Sequence, residues 1–316
     1  MKKIEIKFTR DNSIRIDKFL SEELPNFTRS EISRIIDNKN LKVNGSLAKK
    51  SLKLNKNDFI EILIPEPRTS EIIPQKMDLR IVYEDNDIIV IDKEQGVVVH
   101  PGAGNWDNTL VNGLLYYCND LKGIGGVLRP GVVHRIDKDT TGIIVFAKNQ
   151  NSLNSIAEQF KLHTNKRKYL ALVRGRFELN EGRIETYITR DPNNRLKFTS
   201  KLNKGKIAIT NYKVIEVFNH FSLIEAVLET GRTHQIRVHF SDMNHPIIGD
   251  PLYGYGIKNY NFLAKEVYSK MKQLKGQLLH AEYLEIKHPS KNKNIIFKAE
   301  LHKNFIDFLN IIKKND

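Results

Sequence analysis

The chain has 316 residues, enough to bury a full core and to form one large domain with a smaller companion. Its 51 Lys and Arg against 37 Asp and Glu leave a net charge of +14, which favours a polyanionic partner, nucleic acid first, over a solvated basic surface. One cysteine, Cys118, excludes an intrachain disulfide and a thiolate metal cluster, and no apolar run is long enough to cross a membrane, so the expectation is a soluble, cytoplasmic protein.

Met1 to Phe8 alternates polar and apolar residues like a strand and lacks the uninterrupted apolar segment of a secretion signal. Ile16, Phe19 and Leu20 fall at helical spacing. Thr28 stands three residues before Glu31, a capping box that starts a second helix with Ile32, Ile35 and Ile36 as its apolar stripe. Arg29 and Arg34 fall off that stripe and face outward. Leu41 to Val43 is a short strand running into an Asn44-Gly45 turn, and Phe59 to Ile62 closes with another. With Lys49, Lys50 and Lys53 between them, these elements make an RNA-docking face whose candidate contacts are Arg29, Arg34, Lys50 and Lys53; a solvated basic helix is the alternative. Prolines at 65, 67 and 74 stiffen a linker, set at 66–76 between a first domain of residues 1–65 and a second of residues 77–316.

In the second domain, Leu79 to Tyr83 and Ile88 to Ile91 read as strands around a Glu84-Asp87 turn. The loop His100-Pro101-Gly102-Ala103-Gly104 lets backbone approach a ligand. A helix is expected from Thr109 to Tyr117 with Leu110, Leu114 and Tyr117 on one side. Gly123, Gly125 and Gly126 then lead to His134-Arg135-Ile136-Asp137-Lys138-Asp139-Thr140-Thr141-Gly142, a charged loop between the β-like Val132-Val133 and the apolar run Ile143 to Phe146, with Gly142 as the turn. From pattern alone this is either a placed functional site or a polar hairpin with a local Arg–Asp pair. Ser152 to Phe160 reads as a helix through Leu153, Ile156, Ala157 and Phe160, and Lys161 to Lys168 as a basic run. Tyr169 to Val173 and Phe221 to Leu228 read as strands, and 182–224 as strands with turns at Asp191-Pro192-Asn193 and Lys204-Gly205. Few long helices intervene, which predicts a mainly antiparallel sheet in an α+β fold. Thr233 is placed to cap a helix whose first turn carries Arg237, and the chain closes with a strand from Ile295 to Ala299 and a helix from Asn304 to Ile312.

Several chemistries lack their residues. His234, His239 and His245 match no usual zinc spacing, and no metal is expected. The strained Gly-x-Ser-x-Gly elbow of a hydrolase, a phosphate-binding P-loop and a dinucleotide fingerprint are missing. A two-carboxylate glycosidase needs a second acid, and Asp139 is expected to point away from Asp137. What is left is one carboxylate, Asp137, among arginines in a basic chain. An ionised Asp is a competent nucleophile when a neighbouring Arg orients it.

The run from His134 to Gly142 resembles the signature of the RluA-type pseudouridine synthases, with Ile136 where that family usually has Leu. The likeness continues through Val99 to Gly104, Tyr169, Gly231 to His239 and His245 to Tyr253. The first module resembles the S4 RNA-binding domain through Arg15 to Leu20, Thr28 to Ile32, Val43-Asn44-Gly45, Lys50 to Leu54 and Asp58-Phe59-Ile60. His100 to Gly104 makes the chain most similar to the RluD-like branch, which acts on large-subunit ribosomal RNA. One departure is Asp92-Lys93-Glu94-Gln95-Gly96, where the family has Asn-Lys-Pro and a looser loop is expected here.

The resemblance implies a mixed, mainly antiparallel catalytic domain of pseudouridine synthase type behind a small α/β S4-like domain. It implies that Asp137 attacks the target nucleotide, at the sugar carbon or at the base ring, while the C–N glycosidic bond breaks. The uracil then turns and rejoins through C5. Arg237 corresponds to the arginine that pairs with this Asp, Tyr169 to the tyrosine that stacks on the uracil and takes part at C5, and Arg135, beside His134, to the arginine that enters the RNA helix as the base leaves. No cofactor is implied. The implied partner is RNA: 23S rRNA or a pre-50S particle, with tRNA as the alternative. A non-catalytic RNA-binding or ribosome-assembly protein and an N-glycosylase releasing the base are the competing functions.

Overall fold

A computed structural model of the chain describes residues 2–24, 27, 29–64, 72–102, 104–118, 121, 123–125 and 129–316. Thr28, residues 65–71 of the expected linker, Ala103 and Gly126 lie outside the described residues, as do the side chains of Arg29, Glu31 and Arg34. The chain divides into two units, Met1–Glu71 and Ile72–Asp316.

The first unit runs β1 (Lys2–Lys7), β2 (Ile14–Arg15), α1 (Ile16–Glu23), α2 (Arg29–Asp37), β3 (Leu41–Val43), β4 (Ser46–Leu47), β5 (Lys53–Leu54) and β6 (Phe59–Ile64). Its main sheet has the order β1-β6-β3-β4, and β2 pairs with β5. The stripe Ile32, Ile35 and Ile36 packs with Ile16, Phe19, Leu20, Leu41 and Ile60 in one core. Asn44 and Gly45 both take positive φ (49° and 78°), the backbone that a two-residue hairpin with right-handed strand twist requires. Lys50 donates to Asp37 at 2.6 Å on the surface, and Lys53 stands exposed opposite Arg15 across the β2–β5 pair.

The second unit runs β7 (Ile81–Glu84), β8 (Ile88–Lys93), α3 (Leu110–Tyr117), β9 (Thr141–Ala147), α4 (Gln150–Leu162), β10 (Lys166–Arg174), β11 (Glu181–Arg190), β12 (Phe198–Thr199), β13 (Lys206–Val217), β14 (Phe221–Leu228), α5 (Gln235–Asp242), α6 (Lys265–Lys272), β15 (Leu279–Lys287), β16 (Asn294–Lys298) and α7 (Lys303–Lys314). One sheet takes the order β12-β11-β13-β14-β10-β15-β9-β8-β7, with β16 on β15. Its ladders are antiparallel except β9 against β15, so the expected α+β, mainly antiparallel class is what forms.

Period-2 alternation sends successive residues of each central strand to opposite faces. Ile89 and Ile91 of β8 and Ile144 and Phe146 of β9 join Leu110 and Leu114 of α3 in one core. Ile88, Val90, Ile143 and Val145 join Ile156 of α4 in another. Each such fully buried side chain stabilises the fold by roughly 1.5–3 kcal/mol over its exposed state. A third core holds Leu172, Phe221 and Leu223 against Met271 of α6 and Phe308 of α7.

Several local expectations need correcting. Val132 and Val133 do not form a strand; Val132 makes a single bridge to Phe146. Gly142 is not the turn. The chain turns at Lys138-Asp139, and Gly142 lies inside β9 at φ +103°, where an added Cβ would sit 2.3 Å from the Ala281 carbonyl oxygen of β15. Glycine is needed there for close approach of two strands. Tyr117 faces solvent, since α3 buries Leu110, Val111, Leu114 and Leu115 instead, and Ala157 faces solvent on α4, which buries Ser152 and Ile156. Arg167 does not share a surface run with its basic neighbours, because strand alternation turns it inward. Finally, α6 and β15 are elements that the sequence reading does not contain.

Candidate active site

Asp137 sits on the irregular loop before β9, and the loop is anchored from beneath by a lysine. Lys93, at the end of β8, is 0% exposed and its Nζ donates to the carbonyls of Glu94 (2.8 Å), Val97 (3.0 Å) and Lys138 (2.8 Å). The Gly96 amide also reaches the Lys138 carbonyl, and Gln95 Nε2 reaches that of Asp139. The segment expected to be loose for want of a proline is thus held by a lysine whose Nζ is shared among three backbone carbonyls, two of the segment itself and one of the Asp137 loop. Burial pulls Lys93 down to about 7, against the charges of Asp139 and Asp137.

Above this anchor the loop's side chains separate. His134 turns inward: its Nε2 accepts the Val145 amide at 3.1 Å and its ring stacks on Phe160 at 4.4 Å. Burial, with help from Arg167, pushes it down to about 3, so it is neutral. These contacts position the loop and leave the ring little freedom to meet RNA. Arg135 is exposed at the cavity edge. Asp137 faces a cavity of about 260 Å³ whose walls include Tyr169, Arg167, Leu228, His234 and Arg237.

Arg237 reaches this cavity from the first turn of α5. Its Nη1 donates to Asp137 Oδ2 at 2.8 Å, across 100 residues of chain, while Nε and Nη2 form a paired contact with Asp250 at 2.7 and 2.9 Å. Asp250 is itself fixed by the Leu252 and Tyr253 amides. Burial alone would weaken the guanidinium's hold on its proton; the Asp250 hydrogen bonds and the two carboxylate charges more than offset it and hold Arg237 above its ordinary range. The guanidinium therefore presents one N–H to Asp137 in a set direction.

Thr233 does not cap α5. The N-cap is His234, in the left-handed conformation at φ 58°, with no side-chain cap bond. Gln235 makes the local closure instead: Oε1 accepts the Arg232 amide and the Thr230 hydroxyl. A non-glycine residue in this region is uncommon. Here it aims the His234 ring at Asp137, with Nε2 3.9 Å from Oδ1. Tyr253 fixes the other ring nitrogen. Its hydroxyl accepts the Phe198 amide at 2.7 Å and lies 2.9 Å from His234 Nδ1. Burial pushes this phenol up to about 12, so it stays protonated and donates to Nδ1. The remaining Nε2–H faces the Asp137 carboxylate. Burial lowers His234 from its ordinary value, leaving the ring neutral.

Tyr169 stands on β10 between Ala226 of β14 and Ala281 of β15, its cross-strand partners. Directly opposed residues share a face, so two small side chains leave the phenol ring room beside the cavity. Burial raises the Tyr169 phenol, and the Asp137 charge adds to that. Tyr169 and Arg237 therefore both line the cavity that Asp137 faces, and Arg237 bonds to it. The residues that sequence reasoning did not assign are Asp250, Tyr253, His234, Lys93 and Arg167. The turn-rich run His245 to Tyr253 carried the signal for the first two, but only the fold shows that Asp250 and Tyr253 close onto α5.

The histidines considered for metal do not converge. His239 is occupied by Thr210 and Thr186 hydroxyls, and His245 bonds the Arg174 carbonyl. Among the described residues, Asp85, Asp87 and His288 cluster elsewhere, and the Lys291 ammonium already lies 2.7 Å from Asp85.

Comparison with known proteins bears on the family and the fold. Residues 87–242 match the family described as RNA pseudouridylate synthase, and residues 14–60 match the S4 domain. A Bacillus subtilis protein called an uncharacterized RNA pseudouridine synthase is 39% identical over the whole of both chains. The ribosomal large subunit pseudouridine synthase D of Zymomonas mobilis is 40% identical over 91% of this chain and 90% of its own. The solved structure of human RNA pseudouridylate synthase domain containing 1 shares the fold at a TM-score of 0.56 and 24% identity, covering 79% of this chain and 98% of that one.

Proposed function

The chain belongs to the RNA pseudouridylate synthase family, and on that premise we propose that it converts uridines of large-subunit ribosomal RNA to pseudouridine in the cytoplasm, with Asp137 as the nucleophile. It is an RNA-binding isomerase; the choice of ribosomal RNA rests on relatives such as that of Zymomonas mobilis. The observation that carries the residue assignment is the Arg237 hydrogen bond to Asp137 inside the cavity that Tyr169 lines.

In the proposed sequence the target uridine leaves its stack and enters the cavity, at a cost of a few kcal/mol for unstacking. Arg135, exposed at the edge, takes the place of the base. Asp137 attacks as the bond between C1′ and N1 breaks. The freed uracil turns, C5 bonds to C1′, and the bond that Asp137 made to the nucleotide breaks, returning the free carboxylate. The C5 proton is lost and N1 gains one, so substrate and product are isomers. Arg237 orients the carboxylate. A phenol held above its ordinary range is a poor base at neutral pH, which favours stacking on the uracil as the task of Tyr169.

The test is incubation of large-subunit rRNA transcript with the wild-type chain and with Asp137→Ala, read by carbodiimide labelling. Pseudouridine is expected with the wild type and a loss of at least about 10⁴-fold in rate with the variant. Unmodified RNA from the wild type overturns the reading, and release of free uracil turns it into an N-glycosylase.

A further inference from the structure

Arg167 has no task in the chemistry above, yet it lines the same cavity. It lies on β10 two residues before Tyr169, is 7% exposed, and its guanidinium lies over the Phe160 ring at 5.2 Å. Its Nε has no hydrogen-bond partner, and among the described residues no carboxylate pairs with the guanidinium. A buried arginine is ordinarily paired, because a lone charge taken out of water is costly. This one is also given space. An added Cβ on Gly231 would lie 2.5 Å from Arg167 Nη1, so the glycine keeps the room that the guanidinium fills. Arg232 lines the same end of the cavity and spends its Nε on the Ile207 carbonyl. His163, which ends α4 in the left-handed conformation, completes that end.

We propose that this end of the cavity is a phosphate site, in which Arg167, with Arg232 beside it, holds a phosphodiester group flanking the uridine whose base lies against Tyr169. The proposal rests on the reading of the cavity as a uridine site. An arginine stays charged at neutral pH, and an anion offsets that charge more strongly than a neutral carbonyl does. A uridine within RNA carries one kind of anionic group, its phosphodiesters. The planar guanidinium matches two phosphate oxygens with parallel N–H donors. Holding the phosphate next to the target sugar also fixes where C1′ lies relative to Asp137, which a contact to the base alone does not do.

The probes are uridine, uridine 5′-monophosphate and uridine 3′-monophosphate, titrated into the full chain and into its Arg167→Met and Arg167→Lys variants. For the wild type, one or both monophosphates are expected to bind roughly 10- to 100-fold tighter than uridine, the range of a charge-assisted hydrogen bond. The preference should vanish in Arg167→Met and survive in part in Arg167→Lys, which keeps the charge and loses the paired donors. Equal affinity for uridine and both monophosphates in the wild type overturns the proposal. A preference that persists in Arg167→Met does so as well, and so does a variant that weakens uridine as much as the monophosphates, since that marks a contact to the base. Should Arg167→Met fail to fold, an undiminished preference in Arg167→Lys overturns it. Turnover of rRNA transcript by the same wild-type preparation separates the two readings: an Arg167-dependent phosphate preference without pseudouridine sinks the isomerase reading and keeps the phosphate site.

Discussion

Two buried arginines face one cavity, and the fold treats them in opposite ways. Arg237 meets two carboxylates, and Asp250 is in turn saturated by backbone amides. Arg167 meets an aromatic ring and no carboxylate among the described residues. Both are taken out of water, so burial does not distinguish them. What distinguishes them is whether the compensating charge belongs to the chain. A compensated cation is a part of the scaffold and sets another side chain; an uncompensated one is set for something that arrives.

Stability measurements on the two arginines put this contrast at risk most directly. Arg237→Met leaves Asp250 buried without its partner and removes the donor to Asp137. Unfolding in urea should show a loss of about 3–5 kcal/mol, the usual result of breaking a buried ion pair from one side. Arg167→Met removes a buried charge that no carboxylate among the described residues pairs with, and a side chain of similar length keeps the contact with Phe160. Its stability should fall within about 1 kcal/mol of wild type or exceed it. Similar losses in both variants would erase the distinction.

A smaller effect concerns His134, which holds the loop between these two sites. Its folded-state value of about 3 lies below the ordinary 6.5, so the unfolded chain takes up the proton first. The stability it contributes is complete above pH 6.5 and is lost as pH falls toward 3. The slope of unfolding free energy against pH in that window should flatten in His134→Gln, whose amide oxygen still accepts the Val145 N–H without titrating. An unchanged slope would remove His134 from the account of how the loop is held.

The parts of the site that were legible in the sequence are those with a local signal. Asp137 stands in a charged run before four apolar residues, and β9 follows from that run alone. Arg237 is spaced from Ile236 and Phe240 as a helix requires. The misread parts depend on contacts from far along the chain. Gly142 looks like a turn residue because it follows two threonines, but its reason is the Ala281 backbone. Arg167 looks like one cation in a basic run until β10 turns alternate residues inward. His234 looks like an ordinary helix residue, and its positive φ has no trace in composition. The strand β15 hides because its apolar alternation is interrupted by His280, buried through bonds to Thr141 and the Ala299 carbonyl.

That strand also ties together the two walls of the cavity. In the sheet, β7, β8 and β9 form one block and β10 through β14 another, and β15 lies between them, pairing with β9 on one side and β10 on the other. Asp137 hangs from the first block; Tyr169 and the helix bearing Arg237 belong with the second. In the sheet the two blocks are joined through residues 279–287. A substitution that unseats this strand therefore acts on both walls of the cavity at once.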